Sequence, residues 1–406
     1  MDMGKDNLKE RCEVNTNFDE NTFVGIQCEN EKIKVTFPLG FNLSDSDQEL
    51  RRDILLLLET LRIHTEKTES RVNQPDIDKY ELVNLPVQAY LAVIYDYYSR
   101  GYYKERETIY SNAKRGKIDW NRTIKKNIKY LQDDEVLFLD FTTRRNQIKD
   151  NELITMIHEY CVYESFRKLG WIFTEYVPPK PRIAFNYRLF KSTITERLLR
   201  TFDDKNKQLF QNMLAIINVQ SNPDAKNDYQ YGTYRFEYVW ESMIDKVFGE
   251  ESKEDYFPVS SWSTITGDKL NHSLEPDSIM IKGDKIYILD AKYYKYGLTG
   301  YLSHLPESSS INKQITYGEF VEQLGFAHER IYNAFLLPFN QFDNPFKTKK
   351  EIMKIGEAKG NWKNGNKNYE SIQGVVLDVK SLMKVSRWKN TLEILKLVEC
   401  IEGLAK

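Results

Sequence analysis

Cysteine is scarce here. Cys12, Cys28, Cys161 and Cys400 are scattered through 406 residues, and no two form a Cys-x-x-Cys pair. That usage argues against structural zinc and for a reducing cytoplasm. The five histidines make no metal-ligand cluster by spacing. Long apolar runs are missing too. Ile54-Leu55-Leu56-Leu57-Leu58 is bounded by charge on both sides, far short of a membrane span. Met1 to Asp6 is polar and charged, with no signal-peptide stretch. No Gly-x-x-x-x-Gly-Lys-Ser/Thr phosphate loop occurs, so the chain is not expected to hydrolyse nucleotides itself. There is no internal repeat and no low-complexity tract. Net charge is only −2, so a nucleic-acid binder of this composition must concentrate its basic residues locally.

What is present is a globular composition, 41% hydrophobic and 29% charged, with room for two or three domains. The most informative stretch runs from Leu274 to Lys292. It reads as a β-hairpin around a two-residue Gly283-Asp284 turn. Lys282 then faces Lys285, and counting outward Asp277 faces Asp290. Opposed residues point to the same side, with Cβ atoms about 5 Å apart. Lys292 shares that side, two residues further on. Two carboxylates and an amine thus converge at one end of the hairpin. Carboxylates that close repel each other unless a cation sits between them, and Mg²⁺ is the natural occupant. The competing reading is a surface hairpin with scattered charges. Acid-x-Lys triplets alone mean nothing: Asp203-Asp204-Lys205, Glu251-Ser252-Lys253, Glu357-Ala358-Lys359 and Asp378-Val379-Lys380 all match. Only Pro276-Asp277 is followed at hairpin distance by an apolar strand ending in acid-x-Lys.

Upstream, Phe236, Val239, Trp240, Met243, Ile244, Val247 and Phe248 recur at helical spacing, closed by Gly249. Glu237 and Glu241 lie one turn apart beside that apolar stripe. Downstream, Ser308 to Tyr317 reads as a capped helix with Gln314 and Tyr317 on one face. Ile331 to Phe339 and Gly374 to Val379 read as strands. The fold class expected is α/β, a mixed sheet flanked by helices, preceded by a mainly helical N-terminal region. In that region Asp47–Leu61, Leu85–Tyr98, Asn151–Leu169 and Phe185–Val219 read as helical, and Val136–Asp140 as a short strand. The polar segment Ser221–Asp228 is the expected boundary between residues 1–225 and 226–406.

Pro276-Asp277 with Asp290-Ala291-Lys292 resembles the motif of the PD-(D/E)xK nucleases. Gly116–Ile124, Phe236–Glu241, Glu275-Pro276-Asp277, Asp290–Tyr294 and Asn312-Lys313-Gln314 together resemble the LlaJI-type restriction endonuclease family. That family is similar to the nuclease subunit of McrBC-type systems. The resemblance implies a nuclease acting on double-stranded DNA, with Asp277, Asp290 and a helix glutamate binding Mg²⁺. Glu237, placed early in its helix, is preferred slightly over Glu241. The carbonyl of Ala291 is a further ligand by the same resemblance. Gln314 and Tyr317 are expected to approach the site, and Lys292 to assist the attacking water. The resemblance also implies a separate McrB-like NTPase subunit, and is compatible with an oligomer. The alternatives are a non-catalytic DNA-binding or assembly subunit with a nuclease-like fold, and a nuclease of repair or transposition.

One basic concentration exists. From Arg100 to Lys129 there are ten basic residues against three acids, interleaved with Tyr102, Tyr103, Tyr110 and Trp120. Lys114, Arg115, Lys117, Arg122, Lys125 and Lys126 are its candidates for contacting DNA phosphates or an acidic partner. The other reading is a solvated face around a tyrosine core.

Overall fold

The motif hairpin forms as its turn dictates. Strands Ser278–Lys282 and Lys285–Ala291 are antiparallel, with Lys282 opposite Lys285 and Ser278 opposite Leu289. Gly283 takes φ 63°, a left-handed value that favours glycine. In this computed structural model, which describes residues 8–16, 22–29, 32–65, 83–132, 135–149, 151–221 and 228–403, the hairpin edges a five-stranded mixed sheet. Strand Ile331–Phe339 lies parallel to Lys285–Ala291. Ser371–Asp378 lies parallel to it in turn, and Ile352–Lys359 closes the sheet antiparallel. Helix Ser308–Gln323 packs Tyr317 and Val321 onto Ile279, Ile286, Ile288 and Ile331. Helix Phe236–Phe248 buries every residue of its predicted stripe.

The chain divides into two compact units, one joining Met1–Val83 to Asn227–Lys406, the other Asn84–Lys226. This corrects the expected division into 1–225 and 226–406. The expected linker lies largely outside the described residues, at 222–227. The segment up to Val83 belongs with the mixed sheet for a definite reason. Strand Tyr229–Thr233, which leads into helix Phe236–Phe248, pairs antiparallel with Val24–Glu29. Gly25 and Gly232 face each other there. A Cβ on either would come within 2.2 Å of a backbone oxygen of the other strand. Helix Asp47–Thr65 then packs on helix Phe236–Phe248. Its buried His64 bridges Ser242 Oγ at 2.9 Å and Ser386 Oγ at 3.1 Å.

The second unit packs helices Val87–Arg100, Leu153–Leu169, Tyr187–Arg200 and Asp204–Gln220 together. The stretch read as helical over Phe185–Val219 breaks at Asp203, whose side chain caps Asn206 N–H at 3.0 Å. Strands Glu105–Asn112, Lys117–Ile118 and Thr142–Lys149 form a separate sheet, and a small hairpin pairs Tyr130–Gln132 with Glu135–Leu137. The N-terminal region, expected to be mainly helical, is therefore mixed. Strand-forming β-branched and aromatic residues such as Thr108, Ile109, Tyr110, Thr142 and Thr143 alternate there with the helices.

His158 sits fully buried in this unit. Its Nδ1 accepts Tyr103 N–H at 2.8 Å, and Nε2 has no hydrogen-bond partner. Burial, then the Arg100 charge, pushes its pKa from 6.5 down to about 3. The unfolded chain binds a proton below pH 6.5 that the folded chain refuses. Stability is therefore full above that pH and lost as pH falls toward 3, by about 1.4 kcal/mol per unit. His158→Asn keeps an acceptor for Tyr103 and cannot charge. Between pH 7 and pH 5 this variant should lose about 2 kcal/mol less stability than the unaltered chain, read from denaturation midpoints. Equal losses would remove His158 as the cause.

Candidate active site

The hairpin register carries Asp277 one step beyond Ser278, opposite Asp290. The two acids then find different partners. Asp277 Oδ2 accepts the Ala291 N–H at 2.7 Å. Asp290, only 4% exposed, pairs through Oδ2 with Lys292 Nζ at 2.6 Å. Asp277 is part-buried, and its environment is hostile to charge. Burial first, then Asp290 and Glu241, push its pKa from 3.8 up to about 8, against the pull of the Ala291 N–H and Lys292. Burial works against the Lys292 ammonium, but Asp290 outweighs it and holds that pKa above its ordinary value. Lys292 is therefore a cation in this arrangement, a donor of hydrogen bonds rather than a base.

A cleft of about 540 Å³ opens beside Asp277. Its walls include Tyr238, Glu241, Asp245, Lys253 and Glu275. Of the two helix glutamates, the structure brings Glu241 to the cleft. Glu237 turns aside into an ion pair with Arg235. The two are one helical turn apart, and it is the later one that lines the cleft and helps raise the Asp277 pKa. Gln314 does not reach the acids by its side chain. Its buried amide donates to Ile288 O at 2.8 Å, while Asn333 donates to Gln314 O and Tyr369 O. That network fastens the helix to the sheet. Tyr317, one turn later, is different: its buried hydroxyl has no hydrogen-bond partner. Burial and the charges of Asp290 and Asp277 raise its pKa.

Among the described residues, no group of three or more His, Cys, Asp or Glu side chains stands close enough to hold a metal ion. The donor chemistry nevertheless fits a hard cation. Asp277, Asp290, Glu241 and the Ala291 carbonyl are all oxygen donors. The raised Asp277 pKa marks a spot where negative charge is under-compensated. Lys292 offsets that charge from one side only.

Sequence reasoning passed over Lys253, which stood in one of the chance triplets. Its Nζ donates to Asp277 O at 2.6 Å and to Asp245 Oδ1 at 2.9 Å. Nothing in the local sequence marks it, since both contacts are made across a loop. Glu275, set beside Pro276, also proves to line the cleft.

The basic residues lie in the second unit. Lys117 and Tyr110 both pair with Arg144 across the strands, so the three share one face. Arg122 stacks over the Tyr110 ring, 3.6 Å from its centroid. Lys114, Arg115, Lys117, Lys125 and Lys126 are exposed, as is Trp120. Tyr110 and Trp120 reach solvent, whereas Tyr97 packs with Tyr102 and Phe166, Tyr98 with Phe166, and Tyr103 with Phe210.

No curated protein matches the chain. Among solved structures, one chain aligns over 93% of this protein and 83% of its own length, at 14% identity and a TM-score of 0.39. It belongs to a refined half-complex from a tetradecameric assembly of Thermococcus gammatolerans McrB AAA+ hexamers with bound McrC. The family model of the LlaJI restriction endonucleases matches residues 23–355, from just ahead of strand Val24–Glu29 into strand Ile352–Lys359. With most of its length and the whole acidic hairpin inside that match, the chain belongs to the LlaJI restriction endonuclease family.

Proposed function

We propose that this protein is a Mg²⁺-dependent endodeoxyribonuclease that hydrolyses phosphodiester bonds of double-stranded DNA in a restriction system. The observation that carries the reading is the Asp277–Asp290 pair with Lys292 at one end of a hairpin, with the Asp277 pKa pushed up to about 8. Such a pair is stable as two carboxylates only beside a cation. Asp277, Asp290, Glu241 and the Ala291 carbonyl would hold it. A bound Mg²⁺ supplies an acidified water and a charge that offsets the developing phosphate negativity.

The chain's own groups do the rest. Asp290 keeps Lys292 protonated and holds its ammonium beside the acid pair. The ammonium can then orient the attacking water and donate to a phosphate oxygen as charge builds on it. The Ala291 N–H holds the Asp277 carboxylate in place through one oxygen. Cleavage of duplex DNA with Mg²⁺ present is the test, with Asp290→Ala as control; a variant cutting at near-unaltered rate sinks the reading.

The partner is a separate McrB-like NTPase, which the family resemblance implies; the lack of a phosphate loop in this sequence is compatible with it. The scarce, scattered cysteines fit a reducing cytoplasm, where we place the protein. No helix among the described residues is long and apolar enough to cross a membrane. The exposed basic face of the second unit is its DNA- or partner-binding surface. Each phosphate contact adds about 0.9 to the log–log salt slope of binding. Alanine at Lys114, Arg115, Lys117, Lys125 and Lys126 should therefore weaken DNA binding and flatten its salt dependence. Unchanged DNA affinity with lost activity in the presence of the NTPase would mark the face as the docking surface. Unchanged affinity and activity would leave it an ordinary solvated face.

A further inference from the structure

Asp277 stands just outside the β-ladder. The strand begins at Ser278, so no ladder hydrogen bond fixes the Asp277 backbone. Two contacts hold it instead. One is the bond from Ala291 N–H to its carboxylate, at 2.7 Å. The other is the bond from Lys253 Nζ to its carbonyl, at 2.6 Å. A cation drawing on the carboxylate competes with the first and leaves the second untouched.

Lys253 does more than hold one carbonyl. Its ammonium also binds Asp245 Oδ1 at 2.9 Å, one turn beyond Glu241 on the same helix. It therefore ties the helix bearing Glu241 to the strand end bearing Asp277. The loop between is laid along the hairpin edge. Glu250 N–H donates to Ile279 O at 2.8 Å. At Gly249 a Cβ would stand 2.5 Å from Asp245 Oδ1 and 2.7 Å from Ser278 Oγ, so helix end and strand meet with no room for a side chain. The tie matters because Glu241 and Asp277 do not yet stand as a closed metal-binding group with Asp290. Their separation decides whether a third carboxylate can join the pair.

We propose that Lys253 is a positioning residue of the active site, acting through the Asp277 carbonyl and Asp245 to set the distance from Glu241 to Asp277. This rests on the metal-dependent reading above. Partners that orient ligands are typically worth about 10–100-fold in metal affinity.

The test uses the full chain and Mn²⁺ alone, titrated by calorimetry well below the melting temperature. Lys253→Met should weaken Mn²⁺ binding about tenfold or more. The Mg²⁺ concentration for half-maximal cleavage should rise in step, with the rate largely recovered at saturating metal. Lys253→Arg, which keeps a charged donor, should restore most of the affinity. Asp245→Asn, which slackens the tie at its other end, should shift binding the same way and serves if Lys253→Met does not fold. Lower melting temperature with unchanged Mn²⁺ affinity in Lys253→Met and Asp245→Asn would overturn the proposal and leave Lys253 a structural clamp. Wild-type binding that Asp277→Ala leaves intact, or no binding at all, would remove the metal site itself and this inference with it.

Discussion

Asp277→Asn should stop DNA cleavage and at the same time stabilise the metal-free protein. The amide is isosteric, and its oxygen can still accept the Ala291 N–H. What it removes is the charge that burial, Asp290 and Glu241 all oppose. The sign follows from the raised pKa. Between about 3.8 and about 8 the folded chain keeps a proton on Asp277 that the unfolded chain releases. The folded state is thus unpenalised below that window and progressively penalised as pH climbs through it. Asparagine carries no such penalty. In chelator at pH 8.5 the variant should gain about 1–3 kcal/mol, a discounted figure because Asp277 keeps some contact with water. At pH 4 the gain should vanish. Cleavage should fall about a thousandfold or more, the scale of losing several kcal/mol of metal-borne charge stabilisation. Melting curves in chelator at the two pH values and a cleavage assay check both halves. A variant no more stable than the parent at pH 8.5 would show that the acids are not strained. One that still cuts would show that Asp277 is not a ligand.

Asp53→Ala should cost the larger unit about 3–5 kcal/mol, the usual penalty for stripping one partner from a buried ion pair. Asp53 is 4% exposed and accepts from Lys380 Nζ at 2.7 Å and from Ser44 N–H at 3.1 Å. Lys380 also reaches Asn42 O and Ser44 Oγ. One charge pair therefore ties the N-terminal segment to helix Val379–Val385, near the other end of the chain. Combining Asp53→Ala with Lys380→Met should recover part of the loss, because the stranded ammonium goes too. Denaturant midpoints of the single and double variants measure it. If the single variant left the unfolding of the nuclease sheet unchanged, the segment up to Val83 would be a separate module. The strand pairing of Val24–Glu29 with Tyr229–Thr233 argues that it is not.

Short-range rules were enough for the hairpin and what it aligns. A Gly-Asp turn and a two-residue alternation set Asp277 opposite Asp290 with Lys292 beyond. The apolar spacing from Phe236 to Phe248 likewise located a helix and its end at Gly249. The family followed from the same segments. Which of Glu237 and Glu241 lines the cleft could be read only from the packed molecule. Residues four apart differ by about 40° around a helix, too little for an apolar stripe to separate them. The choice depends on how the helix lies across the hairpin, which the close approach at Gly249 and the Lys253 tie help to fix. Gln314 shows the same limit. A polar residue on a helix face can turn to a cleft or to a strand, and here the carbonyl of Ile288 took it. The place of the N-terminal strands was invisible for a related reason. Val24–Glu29 pairs with Tyr229–Thr233 from the other side of the second unit's sequence, and backbone hydrogen bonds between such distant segments leave no periodic mark. Local conformation obeys rules written within a few residues, whereas the meeting of distant segments is decided by packing that no short window contains.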